Sequence, residues 1–190
     1  MKNKKNEVIY SINTRDKFLK FKTTAFEINK VVASFVHFDA SKEHGSQIVA
    51  QADFYLSFED AKLLAEDILT AKITQLIKAE MAKGNKYPKP VWSLQGGINA
   101  NTCAEKQIRT DGKALARVMS IQPGTKFPYV FHIEQGPGKE TPEGLIVPEW
   151  SKPEISMYIP CDGDTIRKTA LMLNSCIDAK ITADMIAGKR

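Results

Sequence analysis

The sequence has few cysteines and no long apolar run, and these two features exclude several classes of protein. Only 3 of its 190 residues are cysteine, and no two of them form a Cys-x-x-Cys pair. This excludes a disulfide-dense secreted domain and favours a reduced protein. No apolar run approaches the roughly 18 residues that a membrane-spanning helix needs. The polar start of the chain lacks a signal-peptide pattern, so we expect a cytoplasmic location.

The sequence also lacks the short motifs of common catalytic and metal sites. Its 3 histidines are scattered, and the His-Glu-x-x-His, phosphate-loop and Gly-x-Ser-x-Gly patterns are absent. The glycines of residues 95–98 and 135–138 are interpreted as turns. We therefore predict a protein that is not an enzyme and that holds no metal and no cofactor. An enzyme with these glycine-rich loops as a lid is strongly disfavoured.

What the sequence does contain is enough apolar surface for a core and a mild, uneven positive charge. Apolar residues make up 43% of the chain and the net charge is +5, which excludes a disordered low-complexity protein. Residues 1–22 hold seven cations and two anions, and residues 84–118 hold six cations and two anions. Two separate basic segments indicate an anionic partner.

Residue alternation predicts strands in the first half, and a change of period then predicts a helix. Ser57, with Asp60 three residues later, is typical of a helix start, and Gly84 of a helix end. The helix is long for a small domain, so we expect its last turns to pack beyond the first half. The predicted elements are strands at 8–12, 18–28, 31–38 and 47–56, a turn at 29–30, and a helix at 58–83.

The second half repeats this order. A helix beginning at Asp162 or Asp164 and running through Ile177 follows its strands. The predicted elements are strands at 91–95, 113–121, 127–134 and 154–159, an edge strand within 144–148, an irregular polar stretch at 99–111, and a short terminal helix at 182–187.

Strands followed by a helix, twice over, predict an α+β fold of two tandem β-β-β-β-α units. Packing the helices between two antiparallel sheets would bury the apolar helix faces that one unit alone leaves open. The predicted divisions are a basic flexible tail at 1–7, a first unit at 8–84, a linker at 85–90, and a second unit with a short C-terminal helix at 91–190.

This plan is similar to that of the Whirly proteins and of the transcriptional positive cofactor four family, and the Pur family shares a related plan. One stretch, Gly112 to Val118, resembles the Lys-Gly-Lys-Ala-Ala-Leu strand of Whirly proteins. It departs from that strand because Asp111 replaces the first lysine and the order of alanine and leucine differs. The resemblance implies two β4-α units that hold single-stranded nucleic acid.

Binding a single strand requires cations for its phosphates and exposed aromatic rings for its bases. Lys20 and Lys22 are two residues apart, so a strand places both on one face together with Phe18 and Phe26. Periodicity leaves open which face of 129–133 is core, and whether Trp92 and Trp150 are core or binding platforms. The predicted binding residues are Lys17, Phe18, Lys20, Lys22, Phe26, Lys86, Tyr87, Arg109, Lys113, Arg117, Lys126 and Phe127.

The sequence therefore predicts a non-catalytic protein that binds single-stranded DNA or RNA, largely without regard to base sequence. It allows for a homo-oligomer and predicts no membrane partner. The alternative, which the mild net charge favours, is a protein-interaction or assembly module of the same fold.

Overall fold

The order of strands and helices is that of an α+β protein. The computed structural model describes residues 7–188, so the predicted tail lies outside the described residues except for Glu7. The strands are β1 (Val8–Asn13), β2 (Lys17–Lys22), β3 (Lys30–Phe38), β4 (Ile48–Ser57), β5 (Trp92–Ile98), β6 (Ala114–Pro123), β7 (Tyr129–Glu140), β8 (Ile146–Pro148) and β9 (Ile155–Cys161), and the helices are α1 (Phe58–Leu69), α2 (Lys72–Ala82), α3 (Ala100–Glu105) and α4 (Gly163–Ile186).

The strands form two antiparallel sheets. The first sheet has the order β1-β2-β3-β4, with each strand beside its neighbour in sequence. In the second sheet β5, β6 and β7 are consecutive, and β7 pairs with β8 along one half and with β9 along the other. The predicted fold class is confirmed, and β8 is the predicted edge strand.

Residue alternation divides each sheet into an inner face, which contributes to the core, and an outer face. In β2, Leu19 and Phe21 are fully buried on the inner face, whereas Lys20 and Lys22 lie on the outer face. In β7 the inner residues are Phe131 and its in-phase neighbours Tyr129 and Ile133. Periodicity left open which face of residues 129–133 is core, and the structure assigns the core to the face of these three residues.

Both sheets and the three long helices contribute to one continuous core. The ring of Phe21 in β2 lies 6.1 Å from that of Phe131 in β7, edge to face at 71°. Helix α1 packs along α4, and Lys62 of α1 forms an ion pair with Asp178 of α4. The two predicted units are therefore joined through buried apolar contacts.

The single helix predicted for 58–83 is wrong, because the chain forms two helices separated at Thr70 and Ala71. Ala71 adopts a left-handed conformation with φ of 61°. The residue pattern does not predict this backbone conformation. The turn redirects α2 toward the second sheet, where the Thr74 hydroxyl lies 2.7 Å from the Tyr129 hydroxyl. The expectation that the last turns pack beyond the first half is confirmed.

Replacing Ala71 by glycine is expected to stabilise the protein. An L-residue in the left-handed region costs roughly 1–2 kcal/mol that glycine avoids. Glycine also loses more backbone entropy on folding, so we expect the free energy of unfolding to rise by about 0.5–1 kcal/mol, measured by urea denaturation. Ala79→Gly, at an exposed position inside α2, is the control and should lose about 1 kcal/mol. Equal losses in both variants would contradict the prediction.

The strand predicted for 18–28 is too long, because β2 ends at Lys22. This changes the position of Phe26 relative to Lys20. A 3-10 turn at Phe26–Ile28 follows, and Asn29 closes it with φ of 55°, as expected for the predicted turn at 29–30. Phe26 packs edge to face on Phe58, with 5.0 Å between ring centroids. It therefore does not share the outer face with Lys20.

The glycine-rich segments interpreted as turns are strands. Gly96 and Gly97 lie in β5, and β7 continues through Gly136 and Gly138. A Cβ on Gly97 would lie 2.6 Å from a methyl carbon of Ile146, and one on Gly136 would lie 2.9 Å from the Trp150 ring. These glycines allow residues 141–154, here called the covering segment, to lie close against the second sheet. Trp150 thus packs on the sheet.

Two further predictions fail near helices. The stretch predicted as irregular contains α3, because the Asn99 side chain accepts a hydrogen bond from the Thr102 amide at 2.8 Å and Cys103 is fully buried. Helix α4 runs unbroken to Ile186 in place of two helices. Asp162 caps its start at 2.7 Å from the Thr165 amide. No glycine or proline interrupts residues 164–187.

Candidate nucleic-acid interface

The outer face of the first sheet brings together three of the predicted binding residues, Phe18, Lys20 and Lys22, with residues of β3 and β4 that were not predicted to bind. Residues paired across antiparallel strands point to the same face. The register therefore forms three rows across β2, β3 and β4, which are Phe18–Val36–Gln51, Lys20–Ser34–Asp53 and Lys22–Val32–Tyr55. The β3 residues of these rows are buried, so the side chains of β2 and β4 form the accessible surface.

The accessible part of this face combines cations with aromatic rings. The Lys20 ammonium lies 4.5 Å from the centroid of the Phe18 ring, and Tyr55 is 45% exposed. Asp53 supplies a carboxylate, which accepts hydrogen bonds from the Gln51 amide at 3.2 Å. Tyr55 was missed as a binding residue, although its alternation with buried Phe54 and Leu56 already placed it outward.

Lys17 lies at the end of β2 in phase with the buried residues. Its ammonium is 3.5 Å from Asp16, and the same Asp16 oxygen is 3.5 Å from Nε2 of His37. Lys17 therefore belongs to a small cluster beside the β1–β2 turn and not to the outer face.

Lys126 and Phe127 lie in the turn between β6 and β7, with the ammonium 5.9 Å from the ring centroid. They line a groove of about 570 Å³ together with Tyr10 and Arg15 of the β1 region and the start of α4. Two cations and two aromatic rings thus meet at a second place, where the β1 edge of the first sheet approaches the second sheet.

Lys86 and Tyr87 lie in the linker between α2 and β5. The Lys86 ammonium is 5.4 Å from the Tyr87 ring centroid, and the tyrosine is 79% exposed. Glu80 holds the linker by accepting a hydrogen bond from the Lys89 amide at 3.0 Å. Hydrogen bonds from Lys83 and from this amide lower the pKa of Glu80 to about 2.

Arg109 and Lys113 are engaged by carboxylates. The Arg109 guanidinium contacts Glu154 at 2.8 Å and also Asp111, and these hydrogen bonds raise the pKa of Arg109. Lys113 forms an ion pair with Glu149 at 2.8 Å. Glu149 and Glu154 belong to the covering segment, so both cations fasten that segment to the chain before β6.

The predicted binding residues Arg109, Lys113 and Arg117 therefore do not form a basic outer face on the second sheet. Among the described residues, β5 to β9 carry one exposed lysine, Lys139 near the end of β7, and no exposed arginine. Arg117 of β6 lies in phase with buried Met119 on the inner side. Of the six cations in residues 84–118, Lys86 and Lys89 lie in the linker, Arg109 and Lys113 form ion pairs, Lys106 is exposed after α3, and Arg117 points inward.

The outer face of the second sheet instead carries a stacked pair of rings. His132 and Tyr158 lie parallel, with 3.9 Å between centroids and 6° between planes. Nε2 of His132 lies 2.9 Å from the Ser156 hydroxyl. Burial lowers the pKa of His132 to about 4 and raises the pKa of Glu134. Tyr158, 46% exposed, is a second aromatic that was missed.

Protonation of His132 is expected to destabilise the fold. Its pKa is about 4 when folded, against 6.5 for an ordinary histidine. Between these values the unfolded chain binds more protons, so the free energy of unfolding rises with pH through this window. Going from pH 6.5 to 4 should cost about 2–3 kcal/mol more in the wild type than in His132→Gln. Urea denaturation of both proteins across this range measures the difference, and parallel pH profiles would contradict it.

Within residues 7–188, no three potential metal ligands of the His, Cys, Asp and Glu types come together. All three cysteines are free thiols, and burial raises the pKa of Cys161 to about 12. None of the described helices has the length and apolar character to cross a membrane.

Comparison with known proteins finds similarity in structure and not in sequence. No protein-family model and no curated protein matches the chain. The structure of the plant transcriptional regulator PBF-2 is 12% identical, with a TM-score of 0.47, and the match covers 95% of this chain and 85% of that one. WHY1 from Arabidopsis thaliana is also 12% identical, with a TM-score of 0.45, and the match covers 94% of this chain and 90% of that one. Whirly proteins are thus among the solved structures to which this chain is similar.

Proposed function

We propose that this protein binds single-stranded DNA or RNA on the outer face of its first sheet, without catalysing a reaction. The observation that carries the proposal is the grouping of Lys20, 4.5 Å above the Phe18 ring, with Lys22 and the half-exposed Tyr55 on one face. This face supplies both kinds of contact that a single strand needs.

The chemistry of such a face is tolerant of base sequence. Lysines neutralise phosphates that every nucleotide carries, and stacking on an aromatic ring is worth about 1–3 kcal/mol per base for any base. Because counterions leave the strand when phosphates are neutralised, affinity falls as salt rises. Asp53, in the same row as Lys20, limits the local positive charge and makes this face one of moderate affinity.

Two further groups of predicted residues extend the surface in this proposal. Lys126 and Phe127 share their groove with Arg15 of the β1–β2 turn, and Lys86 and Tyr87 form an exposed pair in the linker. Each offers one cation beside one ring. Arg109 and Lys113 would have to leave their carboxylates to contact phosphate, so they are assigned no part in it.

Fluorescence anisotropy with a labelled 15-nucleotide oligo-dT, the matching RNA and the same DNA as a duplex tests the proposal. We expect saturable binding of the single strand, preference over the duplex, and loss of affinity between low and moderate salt. Equal binding of duplex and single strand, or affinity that does not change with salt, would refute it.

The alternative function, a protein-interaction module, is favoured by exposed apolar side chains on α4. Leu171, Met185 and Ile186 are 51%, 66% and 83% exposed, and a second copy of the chain is the simplest partner for such a surface. Light scattering after size-exclusion chromatography measures the oligomeric state. Self-association with no nucleic-acid binding in the anisotropy experiment would favour the module over the binder.

A further inference from the structure

A second groove, of about 630 Å³, lies between β4, at the edge of the first sheet, and β5, at the edge of the second. Arg117 lines it from β6, and Lys30 and Lys106 line it as exposed side chains. Its remaining wall residues include Phe54, Tyr55, Gly96, Gly97 and Thr102. Tyr55 also belongs to the outer face of the first sheet, so the groove adjoins that face.

Arg117 is a largely desolvated cation without a counterion. Within residues 7–188, no carboxylate lies within 4.0 Å of its guanidinium, in contrast to Arg109, which has two. Its hydrogen bond runs from Nε to the side-chain oxygen of Gln135 at 2.7 Å. Burial lowers the pKa of Arg117, and Asp53 opposes this only from a distance.

An unneutralised cation in such a place is costly for the folded protein. Desolvating a charge costs several kcal/mol unless an opposite charge and hydrogen bonds compensate. The Nη atoms of a guanidinium form a planar fork that matches the geometry of phosphate oxygens. An anion entering the groove would therefore meet a side chain that is already held in position through Nε.

The groove also has space and surfaces for more than an anion. Gly96 and Gly97 bring backbone in place of side chains, and the Phe54 ring lies at ordinary contact distance from where a Cβ of Gly96 would be, 3.5 Å. Tyr55 offers an aromatic ring for a base. The one carboxylate in the lining, Asp60, accepts a hydrogen bond from the Ser57 hydroxyl at 2.7 Å within the cap of α1.

We propose that this groove binds one nucleotide, with Arg117 on the phosphate group and Tyr55 beside the base. The shared chemistry is a terminal nucleotide phosphate, which either a free mononucleotide or the 5′-phosphorylated end of a strand can supply. The second source rests on the proposed function and extends it, whereas the first is independent of it.

Amide spectra of the ¹⁵N-labelled protein, titrated with dTMP, thymidine or inorganic phosphate, test the site. We expect saturable shifts of the Gly96 and Gly97 amides with dTMP, and at least tenfold tighter binding than for thymidine or phosphate alone. Arg117→Gln should weaken dTMP binding at least tenfold. Arg167→Gln, at an exposed position of α4, is the matched control and should leave binding unchanged. Absent shifts, or equal shifts in Arg117→Gln, would overturn the proposal.

Thermal unfolding separates loss of the site from loss of the fold. Since Arg117→Gln removes an unpaired charge, we expect its melting temperature without ligand to equal or exceed that of the wild type. Adding dTMP should raise the melting temperature of the wild type and not that of the variant. A variant that melts lower and is still stabilised by dTMP would assign Arg117 a purely structural role and refute the proposal.

The source of the phosphate is decided by comparing 5′-phosphorylated with unphosphorylated dT10 in the same spectra. Shifts of Gly96 and Gly97 with the phosphorylated strand alone support a strand end, and shifts with dTMP but with neither strand support a free nucleotide. If dTMP shifts these amides while no oligonucleotide binds anywhere, the groove stands and the proposed function of the sheet face fails. If oligonucleotides bind, but neither dTMP nor the phosphorylated strand shifts the Gly96 and Gly97 amides, only the groove proposal fails.

Discussion

Lys20→Glu combined with Lys22→Glu is expected to weaken oligo-dT binding by at least a hundredfold at low salt. Both side chains lie on the outer face and neither takes part in an ion pair among the described residues, so their reversal should leave the fold intact. Two attractive phosphate contacts become repulsive, and the Lys20–Phe18 contact of 4.5 Å is lost. Anisotropy measures the affinity, and circular dichroism checks the fold.

The matched control for this variant is Lys78→Glu with Lys168→Glu, which changes the net charge equally at exposed positions of α2 and α4. We expect it to lose only the small part of the affinity that long-range attraction supplies. The slope of log affinity against log salt should become shallower by about 1.4 in the sheet variant, at roughly 0.7 per phosphate contact on a single strand. Equal losses in both variants would show that net charge, and not this face, attracts the strand.

Phe131→Ala is expected to lower the free energy of unfolding by about 3–5 kcal/mol, the usual cost of removing a buried phenylalanine ring. Phe131 is fully buried, and its ring contacts Phe21 at 6.1 Å across the two sheets. Its loss should therefore destabilise both halves of the chain together. Urea denaturation measures the effect, with helix circular dichroism and the fluorescence of Trp92 and Trp150 as two probes.

Phe127→Ala is the control for this substitution, since Phe127 is 37% exposed in a turn. Its free energy of unfolding should change by about 0.5 kcal/mol or less, as is usual for surface substitutions. Both tryptophans lie in the second predicted unit, residues 91–190, whereas the helical signal comes from both units. If the two probes separated into two transitions in the wild type, the sheets would be unfolding independently and the shared core would not be cooperative.

Local patterns were reliable wherever a residue's role depends on its own strand or helix. Alternation placed Leu19 and Phe21 inward and Lys20 and Lys22 outward, because side chains on a strand alternate whatever it packs against. The capping residue Ser57 correctly marked the start of α1, since a cap is satisfied by amides three residues away. These features of the fold and of the proposed site are local in origin.

Glycine was the main source of error, because its local meaning is ambiguous. Gly96, Gly97, Gly136 and Gly138 were interpreted as turn residues, yet all four lie in strands. Ile146 crosses close to Gly97 and Gly138, Trp150 crosses close to Gly136, and the Phe54 ring lies beside Gly96. A glycine that permits close approach and a glycine that permits a turn are the same letter in a sequence. The opposite error occurred at Ala71, where a residue that favours helices adopts a left-handed conformation.

The roles of the cations were decided by partners that are distant in sequence. Arg109 and Lys113 precede β6, and the carboxylates that engage them, Glu154 and Glu149, lie 45 and 36 residues further on. Arg117 was predicted to contact nucleic acid, but the packing of the two sheets turns its side of β6 inward and leaves its guanidinium in a groove between their edges. No spacing rule connects residues that only the fold brings together.

The sequence by itself determined the α+β class, the basic and aromatic face of β2, and the absence of familiar catalytic motifs, because these follow from periodicity and residue type. Only the tertiary structure decided that one basic face remains accessible, that the covering segment forms ion pairs with Arg109 and Lys113 of the second basic segment, and that Arg117 lies without a counterion. The physical reason is that a charge acts through its surroundings, and burial and ion pairing are set by contacts between elements far apart in the chain.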